Sequence, residues 1–446
     1  MNDNTSSPNR QEHEPSHRIR VCLVNDTSNT HNWGARATSQ ALRTLIHEAG
    51  GTVEHTLYES RLTAPQYADR RSLDGVAGRL PGGAAPRRIG RGVLNRLARY
   101  YPDAVPACWA EFDAKARAVM DGRALRDIRQ ALTNSDLVMI SGEGCIYGNL
   151  RQSRMLFFIA YLARCWLDKE TALVNHSADL AHPVLSAIAR EVYPRLDEVV
   201  FREADSARAC GDWCRPRIAA DAAYRLTPAP PEAWLPIAAR PGYFDGWPSR
   251  AARFDPARPY VCVGGSSSYL RRGHRSIDPV AGYVALCRRL AADIAPVLLV
   301  AASWQDERIF RAVAAELDMP LVGIATPVQQ AIDIIGNALA YVGGRWHSGV
   351  FAHAGGTPTV ALGAYTPKMQ ALLHHAGLPG EPFDPFALAS QSAAIIRQTR
   401  DLIDQGEALR ERLRATARRS ACYAEQNVGI LAARHAQRVS HSMVIS

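Results

Sequence analysis

Short apolar runs alternate with longer amphipathic segments along this chain, and this alternation restricts its fold more than any other feature. The first apolar run, at 20–24, leads through a polar loop to a segment with Leu42, Leu45 and Ile46 at helical spacing. The segment at 52–57, which follows Gly50-Gly51, is predicted as the next strand. That order predicts a strand–helix–strand unit. Since parallel neighbouring strands require such crossover connections, we predict an α/β protein with parallel sheets.

The same alternation resumes in the second half of the chain. Apolar runs at 260–263, 297–301 and 321–324 predict three strands. Amphipathic segments at 280–293 and 307–317 predict the helices between them. A second strand–helix series of this length indicates a second domain.

A proline-rich segment at 227–257 separates the two halves. Prolines at this density are unfavourable inside helices and sheets, so we predict a linker there without regular structure. The chain of 446 residues is also too long for one ordinary hydrophobic core. We therefore predict two doubly wound, Rossmann-like domains, at 18–226 and 258–386. A disordered tail is expected at 1–17, and a helical segment at 387–446 is expected to pack back across both domains.

Residues 62–125 interrupt the first alternation and are rich in arginine. Arg91, Arg96 and Arg99 interleave with apolar residues at helical spacing, so we predict a partly helical insertion that covers the N-terminal domain. Two interpretations of it remain open at this point. It is either a solvated basic helix or a surface that binds an acidic polymer or lipid headgroups.

The formal net charge of +9 favours anionic partners such as nucleotides, acidic glycans or the inner surface of a membrane. No nucleic-acid recognition motif accompanies the charge, so we predict that nucleic acid is not a partner. No apolar run reaches the roughly 18 residues of a membrane span, and the polar N-terminus does not resemble a signal peptide. Nine cysteines without zinc-type spacing favour reduced thiols and no metal site. We expect a cytoplasmic protein, with peripheral contact to the inner face of the cell membrane as an open alternative.

Three side chains that bind anions or donate protons follow the strand predicted at 338–342. Arg345 and His347 come directly after a Gly-Gly break, and Lys368 follows the next strand. Strand carboxyl ends and the amino ends of the following helices line the ligand crevice of an open α/β sheet. The pattern therefore predicts a site for a small anion that requires a proton. Taken singly, each residue has a structural alternative: Arg345 in an ion pair, His347 as a helix cap and Lys368 in solvent.

The segment around these residues resembles the C-terminal motif of the polysaccharide pyruvyl transferase family. RWHS at 345–348, GTP at 356–358 and YTPK at 365–368 match that motif in order and spacing. Three shorter elements are also similar: NWG at 32–34, READS at 202–206 and DAAY at 221–224. The resemblance implies a glycosyltransferase-B-like (GT-B-like) pair of domains, with the donor held mainly by the C-terminal one.

The resemblance also implies a reaction, in which the carboxyethylidene unit of phosphoenolpyruvate is transferred to hydroxyls of a cell-surface glycan or a lipid-linked precursor. In that reaction His347 is the general acid, and Arg345 and Lys368 hold the phosphate and the carboxylate of the donor. Arg202 is the matching cation from the N-terminal domain, so domain closure would complete the site. Asn32 is a further expected substrate-binding residue. Phosphoenolpyruvate is a substrate, and neither a cofactor nor a metal is implied.

Two loops carry predictions of their own. Glu143 stands in the sequence SGEG, where the family has a glycine-rich turn, and is either a general base beside the incoming hydroxyl or a surface glutamate. Ser266, Ser267 and Arg271 belong to a loop after a predicted strand and are expected to bind a phosphate. That loop lacks the Gly-Lys-Ser/Thr ending of a P-loop.

Two other functions remain open from the sequence. A glycosyltransferase of the same architecture would bind the diphosphate of a nucleotide-sugar donor at the loop 264–268. A non-catalytic relative would act as a binding protein in envelope glycan assembly, although the intact Arg345, His347 and Lys368 count against this function. The acceptor glycan is left open.

Overall fold

The computed structural model describes residues 18–63, 103–244, 254–270 and 278–445. The tail at 1–17, the arginines at 91, 96 and 99, and Arg271 lie outside the described residues, so what was predicted for them stays a prediction. The described residues form two α/β domains, each built on a parallel sheet.

The sheet of the N-terminal domain has six parallel strands in the order β2-β1-β3-β4-β5-β6. The strands are β1 (Ile19–Asp26), β2 (Gly51–Tyr58), β3 (Leu137–Tyr147), β4 (Glu170–Asp179), β5 (Glu198–Phe201) and β6 (Arg217–Ile218). The helices are α1 (Trp33–Glu48), α2 (Glu59–Thr63), α3 (Phe112–Met120), α4 (Arg126–Thr133), α5 (Arg151–Tyr161), α6 (Pro183–Val192) and α7 (Ala204–Cys210). The order of the strands reverses between β1 and β3.

The sheet of the C-terminal domain has five parallel strands in the order β11-β10-β7-β8-β9. The strands are β7 (Val261–Ser266), β8 (Val297–Val300), β9 (Leu321–Val322), β10 (Ala340–Gly344) and β11 (Thr359–Ala361). Four helices follow these strands: α9 (Val280–Asp293), α10 (Trp304–Leu317), α11 (Val328–Gly336) and α12 (Trp346–Gly355). A further helix, α13, spans Lys368–Ala376. Here the order reverses between β7 and β10.

The central strand β1 is buried on both of its faces, as its apolar sequence predicts. Cys22 and Val24 pack into the core on one side of the sheet, and Val21 and Leu23 pack into the core on the other side. This division follows from the period of two in a strand, where successive side chains point to opposite faces. Helices must therefore cover both faces of the sheet.

The two domains are joined through helix α1. Trp33, at its start, is fully buried and packs in the core of the C-terminal domain. Its backbone N–H donates to the carbonyl of Ala302 at 3.2 Å, and Arg36 Nη2 donates to the carbonyl of Thr326 at 2.8 Å. Since α1 begins after β1, it holds the carboxyl ends of the two sheets face to face.

Part of the segment predicted as an unstructured linker is helical. Helix α8 spans Pro231–Ala238, and Trp234 within it is buried in the core of the C-terminal domain. The prediction was wrong here because proline is favourable at the first position of a helix. Its missing N–H has no partner at that position, and its φ is already helical. Pro231 occupies this position.

The C-terminal segment crosses from one domain to the other, as predicted. It contains α14 (Leu388–Ile403), α15 (Gly406–Ala424) and α16 (Gly429–Ile445). Leu402, Leu409 and Leu413 are buried in the core of the C-terminal domain, whereas Leu431 is buried against the N-terminal sheet.

Asn427, between α15 and α16, is hydrogen-bonded to the N-terminal domain and is fully buried. Its side chain accepts from the backbone N–H of Asn175 at 2.8 Å and donates to the carbonyl of Ala220 at 2.9 Å. This pair of hydrogen bonds fixes the point at which the crossing segment meets the first domain.

Candidate functional site

A cavity of about 230 Å³ lies where the two domains face each other. A few of its lining residues follow β2, β5, β8 and β11, but most follow or lie within β1 and β3 in the N-terminal domain and β7 and β10 in the C-terminal domain. The order of each sheet reverses between these strands. Open α/β sheets bind ligands at such reversal points, outside the carboxyl ends of the strands. The cavity therefore combines the ligand crevices of both domains.

Arg345 lines the cavity immediately before α12, and its guanidinium is buried. Nε and Nη2 form a bidentate pair with the Asp306 carboxylate at 3.0 and 2.7 Å, and Nη2 also donates to Ser303 Oγ at 2.6 Å. A Cβ on Gly265 would overlap the Asp306 carboxylate, so glycine there permits the close approach. Burial opposes the charge, but Asp306 outweighs it and raises the pKa of Arg345. Arg345 is thus fixed as a cation in the cavity wall.

His347 lies in the first turn of α12 and contacts the opposite domain. Its Nε2 is 3.2 Å from Asp221 Oδ2 and 3.0 Å from Thr38 Oγ1. A Cβ on Gly34 would overlap the ring at Nδ1, so glycine at this position of α1 leaves room for the imidazole. Both His347 and Gly34 line the cavity. Nε2 is thus engaged by Asp221 and Thr38, whereas Nδ1 lies against Gly34 and has no hydrogen-bond partner among the described residues.

Asp221 is a buried carboxylate that joins both domains behind the cavity. Oδ2 accepts from Arg202 Nη1 at 2.8 Å and from Trp346 Nε1 at 3.1 Å, and Oδ1 accepts from the backbone N–H of Ala223 at 2.9 Å. Burial would raise the pKa of Asp221, but His347 and Arg202 outweigh it and hold this pKa well below its usual range. Asp221 is therefore an ionised partner of both Arg202 and His347.

No role was predicted for Asp221 or Asp306 from the sequence. Asp221 opens the DAAY element, so the family resemblance pointed to its segment without indicating its function. Asp306 carries no comparable signal, because its pairing with Arg345, 39 residues away, depends on how α10 packs against β7 and β8.

Lys368 is the first residue of α13, and its Nζ lies 4.5 Å from the ring centroid of Tyr365. Burial, together with the nearby charges of Arg345 and Arg202, lowers the pKa of Lys368 to about 7. An approaching anion favours the ammonium form of such an amine. Arg202, Arg345 and Lys368, the three cations expected from the resemblance, all line the cavity.

Glu143 lines the cavity from within β3, with a φ of 44° in the left-handed region that such residues rarely adopt. It is buried, and its Oε1 accepts from Thr27 Oγ1 at 2.7 Å. Burial raises the pKa of Glu143 to about 8, against the opposing effects of Thr27 and Arg202. The interpretation as a surface glutamate was wrong. The general-base role stays a prediction, and it requires the ionised form that predominates only above about pH 8.

The remaining predicted residues differ in what they contact. Ser266 Oγ donates to the carbonyl of Gly363, within the C-terminal domain. Ser267 lines the cavity, and its buried hydroxyl has no hydrogen-bond partner in the part of the chain that the structure describes. Asn32 lines the cavity as well, and its side chain caps α1 by accepting from the backbone N–H of Ala35 at 3.2 Å. Of these three residues, only Ser267 has a side-chain hydroxyl without a hydrogen-bond partner among the described residues.

The described ranges contain no group of three or more His, Cys, Asp or Glu side chains that could hold a metal ion. No helix among them is both long and apolar enough to cross a bilayer. All nine cysteines are free thiols.

Two facing doubly wound domains with the ligand cavity between them place the protein in the GT-B structural class, as predicted. Similar solved structures include Staphylococcus aureus MnaA with UDP, at 10% identity over 96% of this chain and 98% of that chain, with a TM-score of 0.50. Another is UDP-GlcNAc 2-epimerase from Neisseria meningitidis bound to UDP-GlcNAc, at 8% identity over 96% of this chain and 100% of that chain, with a TM-score of 0.48. A third is an α,α-trehalose-phosphate synthase (UDP-forming) from Burkholderia vietnamiensis, at 13% identity over 94% of this chain and 98% of that chain, with a TM-score of 0.49. At these identities the similarity concerns the fold alone.

The family model for polysaccharide pyruvyl transferase matches residues 32–364. The chain therefore belongs to the polysaccharide pyruvyl transferase family, and the resemblance seen in the sequence is confirmed. The match includes Arg202, Arg345 and His347 and ends shortly before Lys368. None of the curated proteins compared with the chain matches it.

Proposed function

We propose that this protein transfers the carboxyethylidene unit of phosphoenolpyruvate to two hydroxyls of a glycan or a lipid-linked sugar, forming a pyruvate ketal. The observation that carries the proposal is the convergence of Arg202, Arg345 and Lys368 with His347 on one cavity. Phosphoenolpyruvate bears a carboxylate and a phosphate on the same carbon, so it requires several cations close together. A cavity of about 230 Å³ is smaller than most pockets for larger ligands and suits a three-carbon donor.

The two arginines are prepared for such a donor by buried carboxylates. Asp306 orients Arg345 from within the C-terminal domain, and Asp221 orients Arg202 from within the N-terminal domain. A cation fixed before the ligand arrives loses little conformational entropy on binding. Lys368 supplies an adjustable charge, since its amine would be protonated fully as the dianionic phosphate binds.

The proposed chemistry begins with a proton transfer from His347 Nδ1 to the methylene carbon of the donor, which leaves positive charge on the adjacent carbon. The first acceptor hydroxyl bonds to that carbon and loses its proton. The second hydroxyl then displaces phosphate, whose negative charge is stabilised by the arginines and Lys368. One hydroxyl proton restores His347 and the other is released with phosphate, so atoms and charges balance.

Titration calorimetry with phosphoenolpyruvate, UDP-glucose and UDP-GlcNAc tests the donor. Lys368→Met keeps the length of the side chain and removes its charge, so it should weaken phosphoenolpyruvate binding about tenfold at pH 6.5. Lys169→Met is the matched control, because Lys169 precedes β4 and does not line the cavity. Its affinity for phosphoenolpyruvate should equal that of the wild type.

The other outcomes separate the alternatives. Binding of a UDP-sugar without binding of phosphoenolpyruvate would replace the proposal with a glycosyltransferase function. No binding of any donor would favour the non-catalytic function in envelope glycan assembly. Equal phosphoenolpyruvate affinity in wild type and Lys368→Met would remove Lys368 from the site.

A further inference from the structure

The cavity has a second wall that the proposed donor does not use. Besides Arg202, the N-terminal domain contributes Thr27, Glu59 and Glu143 to this cavity. Both carboxyl groups line the same cavity as Arg345 and Lys368. The cavity is therefore lined by carboxyl groups as well as by cations.

This second wall is held in place by a network of hydrogen bonds. Gln152 Nε2 donates to Glu59 Oε1 and to Asn25 Oδ1, each at 3.3 Å. Asn25 Nδ2 in turn donates to the carbonyl of Ser141 at 2.7 Å. Asn25 and Glu143 both have positive φ, at 63° and 44°. Strained backbone of this kind persists only where the surroundings impose it, and it concentrates at functional sites.

A separate observation is an unpaired buried hydroxyl in the cavity wall. Ser267 is 1% exposed and lines the cavity, and its hydroxyl lacks a hydrogen-bond partner among the described residues. Buried polar groups are almost always hydrogen-bonded, since an unpaired one costs about 1–3 kcal/mol. A ligand with its own donors or acceptors would satisfy this hydroxyl.

We propose that Glu59, Glu143 and Thr27 form a hydroxyl-binding subsite that selects an uncharged sugar unit as the acceptor. The inference rests on the proposed function, because it names the substrate class of the other half of the same site. A carboxylate accepts two hydroxyl hydrogen bonds, and a diol presents two donors. The paired oxygens of Glu59 suit that geometry, and Glu143 lines the same cavity.

The same wall disfavours an acidic sugar. A carboxylate, sulfate or phosphate group on the reacting unit would be placed against Glu59, while the cations that could neutralise it are engaged by the donor. The net charge of +9 of the whole chain favours acidic glycans, but the local charge beside Glu59 is negative. The reacting unit is uncharged even where the rest of the glycan is acidic.

Saturation-transfer NMR in the presence of saturating phosphoenolpyruvate tests the inference. The probes are 4-nitrophenyl β-glucoside and its β-glucuronide, which differ by a carboxylate at the sugar. Wild-type protein should bind the glucoside about tenfold more tightly than the glucuronide. Glu59→Gln removes the charge at constant shape, so it should weaken binding of the glucoside and abolish the preference for the glucoside over the glucuronide. Glu143→Gln is nearly isosteric with the protonated residue. It should weaken binding of the glucoside and leave binding of the glucuronide unchanged.

Glu54→Gln is the matched control, because Glu54 is exposed on β2 and does not line the cavity. It should bind both probes as the wild type does. Phosphoenolpyruvate binding is measured first, and its absence would overturn the proposed function. Phosphoenolpyruvate binding combined with equal affinity for both probes, with tighter glucuronide binding, or with no response to Glu59→Gln would overturn this inference alone.

Discussion

At the scale of single residues, Asp221 holds together groups that belong to different domains. We expect Asp221→Asn to lower kcat for phosphate release by about 10²–10⁴-fold, the range seen when a carboxylate that orients a catalytic histidine becomes an amide. The amide keeps the shape of the carboxylate but removes the negative charge from beside Arg202 and His347. The measurement is kcat for phosphate release together with phosphoenolpyruvate affinity by titration.

Asp212→Asn serves as the control for this variant, since Asp212 is exposed in the same domain. Its kcat and its stability should match those of the wild type. A positioning role for Asp221 requires kcat to fall in protein that remains folded. If Asp221→Asn lowered only the urea midpoint and left kcat intact, Asp221 would be a structural residue and nothing more.

Single residues also show which parts of the site could be predicted from the sequence and which could not. Arg345, His347 and Lys368 were predicted from their positions after strands as well as from the family resemblance, and Arg202 was predicted from the resemblance. Their partners were not, since Asp221 lies 125 residues from Trp346, and only the packed domains bring them together. Glu59 was missed for the same reason: it carries no motif, and its relation to Glu143 requires β1, β2 and β3 to be adjacent.

At the scale of elements, the crossing segment depends on Asn427. We expect Asn427→Leu to lower the free energy of unfolding by about 2–4 kcal/mol, because it leaves the Asn175 N–H and the Ala220 carbonyl buried without partners. Urea denaturation measures this. Gln426→Ala, at an exposed neighbouring position, should change the free energy of unfolding by less than about 0.5 kcal/mol. Equal midpoints for the two variants would contradict the assigned role of Asn427.

Most elements were predictable because their signals are local. Helix α9 begins and ends where its amphipathic spacing predicts, at Val280–Asp293. Strands β7 and β8 follow from apolar runs buried on both faces. Helix α8 was missed because prolines were counted as breakers without regard to position. The first turn of a helix tolerates them, and the burial of Trp234 then stabilises the segment.

At the scale of the whole molecule, buried neutral histidines predict sensitivity to acid. Burial lowers the pKa of His176 to about 3 and that of His353 to about 3, from an ordinary value of 6.5. Below pH 6.5 the unfolded chain therefore binds more protons than the folded chain, so stability falls as the pH falls. Each histidine contributes about 1.4 kcal/mol per pH unit across this window, until the folded pKa near 3 is reached.

The contribution of one histidine is isolated by comparing wild type with His353→Leu. His353 Nε2 is buried without a hydrogen-bond partner among the described residues, so leucine is tolerated there. The free energy of unfolding of His353→Leu, minus that of the wild type, should rise by about 1.4 kcal/mol as the pH falls from 6 to 5. Parallel pH dependences in urea denaturation would contradict the buried neutral state of His353.

The lowered pKa of Lys368 has a consequence for covalent chemistry. Lys115, Lys169 and Lys368 are the lysines of this chain, whose other basic side chains are almost all arginine. An amine with a pKa of about 7 is largely unprotonated at pH 7.5 and is therefore nucleophilic. A small amine-acylating reagent at pH 7.5 should modify Lys368 first, and phosphoenolpyruvate should protect it, as peptide mass spectrometry would show. A single acyl group would then report occupancy of the donor site without any knowledge of the acceptor.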